Sequence, residues 1–129
     1  MAVRVVRLGS PRLKGEGTRI GTVRRPPRGV PRSEFASRDY YDAWLPNLAP
    51  SVETMKQGQA AATPVQWAAF LGKYRAEMAL PGNSHVLELL ALLSRHADFS
   101  VGCYCEDESR CHRSILRELF AAKGAKLEG

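Results

Sequence analysis

No run in this sequence reaches the roughly 18 consecutive apolar residues of a membrane span. The opening Met1-Ala2-Val3-Arg4-Val5-Val6-Arg7 holds neither the apolar stretch nor the small-residue cleavage site of a secretory signal. The expectation is a cytoplasmic protein with no membrane partner. Cysteine is scarce: Cys103, Cys105 and Cys111 are the only three. An odd, crowded set excludes a secreted disulfide framework and leaves reduced thiols for packing, metal or chemistry. Acids are nearly missing from the first 32 residues, where Glu16 stands alone. Aromatics are missing from residues 1–34, so stacking platforms for a single strand are absent from that segment. There is no internal repeat and no low-complexity tract.

What is present fits one globular domain over residues 1–127, with Glu128-Gly129 a candidate expression-tag remnant. The 129 residues are 44% hydrophobic and 25% charged, enough for a core of their own. The net charge of +6 is unevenly spread: nine Lys or Arg in residues 1–32 give that segment +8, and the remainder carries −2. Such a segment is an electrostatic footprint for phosphate, on nucleic acid or on a small nucleotide, because guanidinium forks pair with phosphate oxygens. A solvated basic face is the competing reading.

Local patterns place the elements. Val3 to Leu8 alternates and is β-branched, a strand, followed by a Gly- and Pro-bearing loop over 9–17; Ile20 to Arg24 is a second strand. Arg24-Arg25-Pro26-Pro27-Arg28-Gly29-Val30-Pro31-Arg32 is a stiff cationic loop, since its prolines forbid a helix interior and remove ladder donors. Tyr40 to Leu45 is read as a strand. Ser51 opens a helix through Lys56 that Gly58 stops, and Thr63-Pro64 starts a longer one to about Leu80. Pro81-Gly82-Asn83 breaks the chain, Ser84 caps a mostly buried helix to His96, and Phe99 to Cys105 is an apolar strand. Ser109 or Arg110 starts the last helix, with Ile115, Leu116, Leu119 and Phe120 on one face and Lys123-Gly124 closing it; Leu127 to Gly129 is read as unstructured. Strands separated by helices give an α/β class, a compact sandwich with a small mixed sheet flanked by helices.

The chemistry concentrates where the apolar strand meets the last helix. Ligands in open α/β sheets bind outside the carboxyl ends of strands. A helix start at Cys111, His112 and Arg113 offers free N–H groups and a positive field for an anion, and lowers the pKa of a nearby thiol. Cys105 or Cys111 is then a candidate nucleophile with His112 as base or orienting group. Glu106, Asp107 and Glu108 cut against this unless they face solvent. A phosphatase loop does not fit, because Cys105 and Arg110 stand too close in sequence. Zinc on Cys103, Cys105, Cys111 and His112 has suitable ligand types, yet no C-x2-C pair exists and adjacent Cys111 and His112 diverge by about 100° on a helix; no metal and no cofactor is assigned. The bland alternative makes Cys103 and Cys111 small buried hydrophobes. His85 and His96 sit at helix ends, and Trp44, Trp67 and Tyr74 read as core or groove walls.

The run Cys105-Glu106, four residues, then Cys111-His112-Arg113-Ser114 resembles the C-terminal signature of the domain of unknown function 488 family. Arg24, Pro27-Arg28-Gly29, Trp44-Leu45, Ala49-Pro50-Ser51, and Trp67, Phe70, Tyr74 and Arg75 resemble its shorter branch. The resemblance implies a single α/β domain with no established activity and Arg28, Cys105, Glu106, Cys111, His112 and Arg113 as the candidate site. Arg25-Pro26 replaces the branch's apolar and aromatic pair.

The resulting expectation is a site that binds a phosphate-bearing small molecule or nucleic acid. Arg24, Arg25, Arg28 and Arg113 contact phosphate, and Cys105, Glu106, Cys111 and His112 are available for thiol or acid–base chemistry. The alternative is a non-catalytic regulatory or structural module with a packed or zinc-holding Cys/His cluster. His112 is expected to be at least half buried and bonded to a carboxylate or carbonyl, with Glu106 the nearest acid; Arg113 is expected to turn outward.

Overall fold

The structure is a computed structural model describing residues 1–129. Its strands are β1 (Val3–Arg7), β2 (Thr18–Gly21), β3 (Ala43–Trp44) and β4 (Phe99–Cys103). They form one sheet in the order β1-β4-β2-β3, parallel throughout. Four helices flank it: α1 (Val52–Ala60), α2 (Pro64–Met78), α3 (Pro81–Leu93) and α4 (Arg113–Ala122). The α/β class holds, but the sheet is not mixed. The ten residues between β1 and β2 do not join neighbours; β4 enters between them, and its burial at all five positions is what a central parallel strand requires. At Gly102 the β1 backbone comes close: an added Cβ would lie 2.6 Å from the Val6 carbonyl oxygen.

Alternation along β4 divides its neighbours. Phe99 and Val101 join Val3, Tyr74, Met78, Leu87, Ile115, Leu116 and Phe120 in the main core against α2, α3 and α4. Ser100 instead meets a buried polar cluster: its hydroxyl donates to Glu16 (2.7 Å), and the fully buried Arg19 pairs with Glu16 through Nε and Nη2 (2.7 and 2.9 Å). Arg19 Nη1 also donates to the carbonyls of Ser10 and Asp39, both at 2.8 Å, so one guanidinium ties two loops to the sheet.

Several boundaries differ from the sequence reading for identifiable reasons. The strand near Ile20 ends at Gly21, and the 40–45 segment is a strand only at Ala43–Trp44. α1 runs past Gly58, which packs its bare Cα side against the Phe70 ring where a Cβ would stand 2.7 Å away, so this glycine is a contact point and not a stop. Pro81 is the first residue of α3 and not its breaker. α3 is only partly buried: Leu87, Leu90 and Ala91 face the core while Leu89, Leu92 and Leu93 are exposed, because its apolar positions cover more than one face. Leu127 bridges to Val3, so the last residues are not unstructured. No helix is long and apolar enough to cross a membrane.

Candidate functional site

The carboxyl ends of β1, β2 and β4 open onto one cleft of about 1190 Å³, with Arg7 and Leu8, Val23, and Cys103 on its wall. Arg24 to Arg28 line one side and Tyr104, Cys105, Arg110, Cys111 and His112 another, so the cationic loop and the Cys/His turn meet in one place. α1 and α2 close the far side with Met55, Lys56, Gly58, Gln59, Trp67 and Phe70. Arg7, Arg24, Arg25, Arg28, Lys56 and Arg110 are all on the wall, and no Asp or Glu is.

The cations differ in freedom. Arg24 is a brace: Nε donates to the Pro50 carbonyl (3.0 Å) and Nη2 to those of Pro46 and Ala49 (3.1 and 3.2 Å), pinning the proline loop to the turn before α1. Arg7 reaches Glu106 at 3.4 Å, and Arg110 lies over the Trp67 ring with 4.2 Å to its centroid. Arg25 and Arg28 are exposed and make no ion pair or side-chain hydrogen bond. Elsewhere the N-terminal charge is spent: Arg12 on Asp42, Arg19 on Glu16, Arg4 on Glu128. Apart from Lys14, which is exposed without an ion pair, the uncompensated N-terminal charge therefore sits on the loop. Tyr40 and Tyr104 meet edge to face at the rim, and Tyr104 donates to the Arg25 carbonyl (2.8 Å).

The turn after β4 is not a helix start at Ser109. Asp107 accepts from the backbone and hydroxyl of Ser109 (3.0 and 2.7 Å), capping a single 3-10 turn over Glu108–Arg110. Cys111 then extends (φ −141, ψ 152), and α4 begins at Arg113. That break lets adjacent Cys111 and His112 point to the same place, which a continuous helix forbids. Cys103 Sγ lies 3.0 Å from Cys111 Sγ and 3.5 Å from Cys105 Sγ. Cys103 and Cys111 are buried and Cys105 is exposed. The Cys103 thiol donates to Cys105, so Cys103 is pushed far above the ordinary thiol range and Cys105 is held well below it, with Cys111 adding in the same sense to both.

His112 is 7% exposed, and its Nε2 is 2.8 Å from the Thr22 carbonyl oxygen, with the Tyr74 ring edge-on at 5.3 Å. A carbonyl only accepts, so Nε2 carries the hydrogen and Nδ1 presents its lone pair to Cys111 Sγ at 3.7 Å. Burial lowers its pKa to about 4 and keeps the ring neutral. The burial and the carbonyl bond match expectation; the nearest acid does not, because the Glu106 side chain is 85% exposed and turned to Arg7. Arg113 turns inward and not outward: it is buried, Nη2 donates to the Cys105 carbonyl, and Nε has no partner. Glu108 is held by Arg117 through two 2.9 Å bonds, and its carboxyl is lowered accordingly.

Arg7, Lys56, Arg110, Phe70 and the Tyr40–Tyr104 pair are among the wall residues that the sequence did not assign to the site, whereas Trp67 reads from the sequence as core or groove wall. Their only sequence signal was the Trp67/Phe70 spacing, which marks one helix face without saying what it faces.

The family model described as the active DUF488-N3 subclade matches residues 3–124. No curated protein and no solved structure matches the chain.

Proposed function

Because the chain belongs to the DUF488 family, whose function is unknown, we propose its role from its own cleft: it binds a phosphate-bearing ligand, a nucleotide unit either free or within a nucleic acid. The observation that carries this reading is a cleft of about 1190 Å³ with six cationic side chains and no carboxylate on its wall. Such a wall favours an anion, and the volume suits a ligand at the large end of small-molecule sites. Arg25 and Arg28, the unpaired pair, take the phosphate; Tyr104 supplies a face for a base, while the Trp67 ring already carries Arg110. Arg113 holds the turn from inside and does not reach the ligand. In the metal-free protein thiol chemistry belongs with Cys105, the one exposed cysteine, and His112 behind it is a neutral orienting group. Glu106 sits at the rim, where it holds Arg7.

The test is equilibrium binding of ADP and of a short single-stranded DNA to the full chain over a range of salt. Strand binding should weaken with a log–log slope of roughly 0.7 per phosphate contact. Arg28→Ala should weaken both ligands about tenfold or more. Binding of neither ligand, or binding indifferent to salt and to Arg28→Ala, would overturn the reading. The non-catalytic alternative, a module with a packed cluster, predicts the same indifference.

A further inference from the structure

We propose that Cys103, Cys105, Cys111 and His112 form a tetrahedral site for a thiolate-loving divalent cation, zinc, at the floor of the cleft. This goes beyond the cleft's ligand and does not depend on it. Three ligand atoms already converge: Cys103 Sγ, Cys111 Sγ and a ring nitrogen of His112 lie within 4.8 Å of one another. Cys105 Sγ stands 3.5 Å from Cys103 Sγ on the cleft side. Zinc–sulfur bonds of about 2.3 Å and zinc–nitrogen bonds of about 2.0 Å in a tetrahedron put ligand atoms roughly 3.5 to 3.8 Å apart. The observed separations of 3.5 and 3.7 Å fall in that range, and the 3.0 Å between Cys103 and Cys111 needs only a small spread.

Two independent features point the same way. The first is the imidazole. Its Nε2–H is spent on the Thr22 carbonyl, which fixes the tautomer whose Nδ1 lone pair faces the thiols; a ligating histidine is oriented by the same kind of outer bond. The second is Arg113, a residue 4% exposed whose Nε has no partner and whose guanidinium makes no ion pair with a carboxylate. A buried cation needs a compensating charge nearby. Three thiolates, a neutral imidazole and a divalent cation carry one net negative charge, which meets that need. The divergence that a continuous helix would impose on Cys111 and His112 is no obstacle, since Cys111 is extended and not helical. Loading releases the remaining thiol protons to solvent and forms only metal–ligand bonds, so no electrons change hands.

The experiment is an anaerobic titration of cobalt(II), then zinc, into the reduced, chelator-stripped full chain. Expected are one cobalt per chain, an intense tetrahedral visible spectrum with a sulfur-to-metal charge-transfer band, and its loss on adding zinc. Cys105→Ser, at an exposed position, should dim the charge-transfer band, and zinc should protect Cys105 of the wild type from alkylation. Cys111→Ser should weaken binding on the order of 100-fold or more, read alongside circular dichroism to confirm folding. A weak octahedral spectrum, a ratio other than one, or zinc that leaves Cys105 alkylation unchanged would overturn the proposal. All three are wild-type measurements, so a misfolded variant does not decide the outcome. ADP binding without metal binding would sink only this site, and the converse only the cleft's ligand.

Discussion

His112 shows how much a single side chain is fixed by its surroundings. It is buried, bonded to Thr22 and packed on Tyr74, whereas His85 and His96 are exposed. His112→Ala should therefore cost about 2 to 4 kcal/mol in urea unfolding, and His85→Ala or His96→Ala within about 0.5 kcal/mol. Equal costs at the three positions would contradict this placement. Glu16 makes a second prediction at this scale. Arg19 and Ser100 hold its carboxyl at about 2, against an ordinary 4.5, despite burial working the other way. A depressed carboxyl stabilises the fold fully above its unfolded value and loses that contribution as pH falls toward the folded one. Stability should thus drop by roughly 3 kcal/mol between about pH 4.5 and pH 2. Glu16→Gln should flatten that part of the pH profile while lowering stability at neutral pH, because Arg19 is left buried without its acid. Inward burial of His112 was legible in the sequence because helix spacing ties it to Ile115 and Leu116. The inward turn of Arg113 was not, because its partner is a backbone carbonyl that no residue type announces.

The helices were legible where side chains cap them and obscure where glycine and proline act through packing. Thr63 and Gln66 form a reciprocal cap, and Thr63→Ala should lower stability by about 1 kcal/mol in thermal or denaturant unfolding. Gly58 was misread as a terminator because its role depends on Phe70, a residue of the next helix. Gly58→Leu should push α1 off α2 and reshape the cleft wall that both build, seen as loss of ligand binding with the chain still folded. The Cys/His turn was found as a motif but not as a shape. The 3-10 turn at Glu108–Arg110 and the extended Cys111 decide where the thiols point, and both rest on the Asp107–Ser109 cap. Asp107→Ala should loosen that turn and alter Cys105 alkylation without unfolding the sheet.

For the whole molecule, strand order decides where the cleft forms more than strand identity does. Inserting β4 between β1 and β2 carries the Cys/His turn to the same edge as Leu8, Val23 and the proline loop, although some 80 residues separate those segments in the chain. Parallel orientation and that insertion are non-local facts, and the sequence has no local signal for either. Charge partition shows the same gap: an N-terminal excess of +8 was readable, but its concentration on Arg25 and Arg28 depends on partners at Asp42 and Glu128. On the function proposed above, the cationic loop and the Cys/His turn hold one anion between them. The measurement that addresses it is a backbone amide NMR titration of the full chain with ADP. Expected are saturable shifts at Gly29 and Arg28 together with Cys105 to His112, sharing one dissociation constant. Shifts confined to the loop, or two sets with different constants, would contradict it.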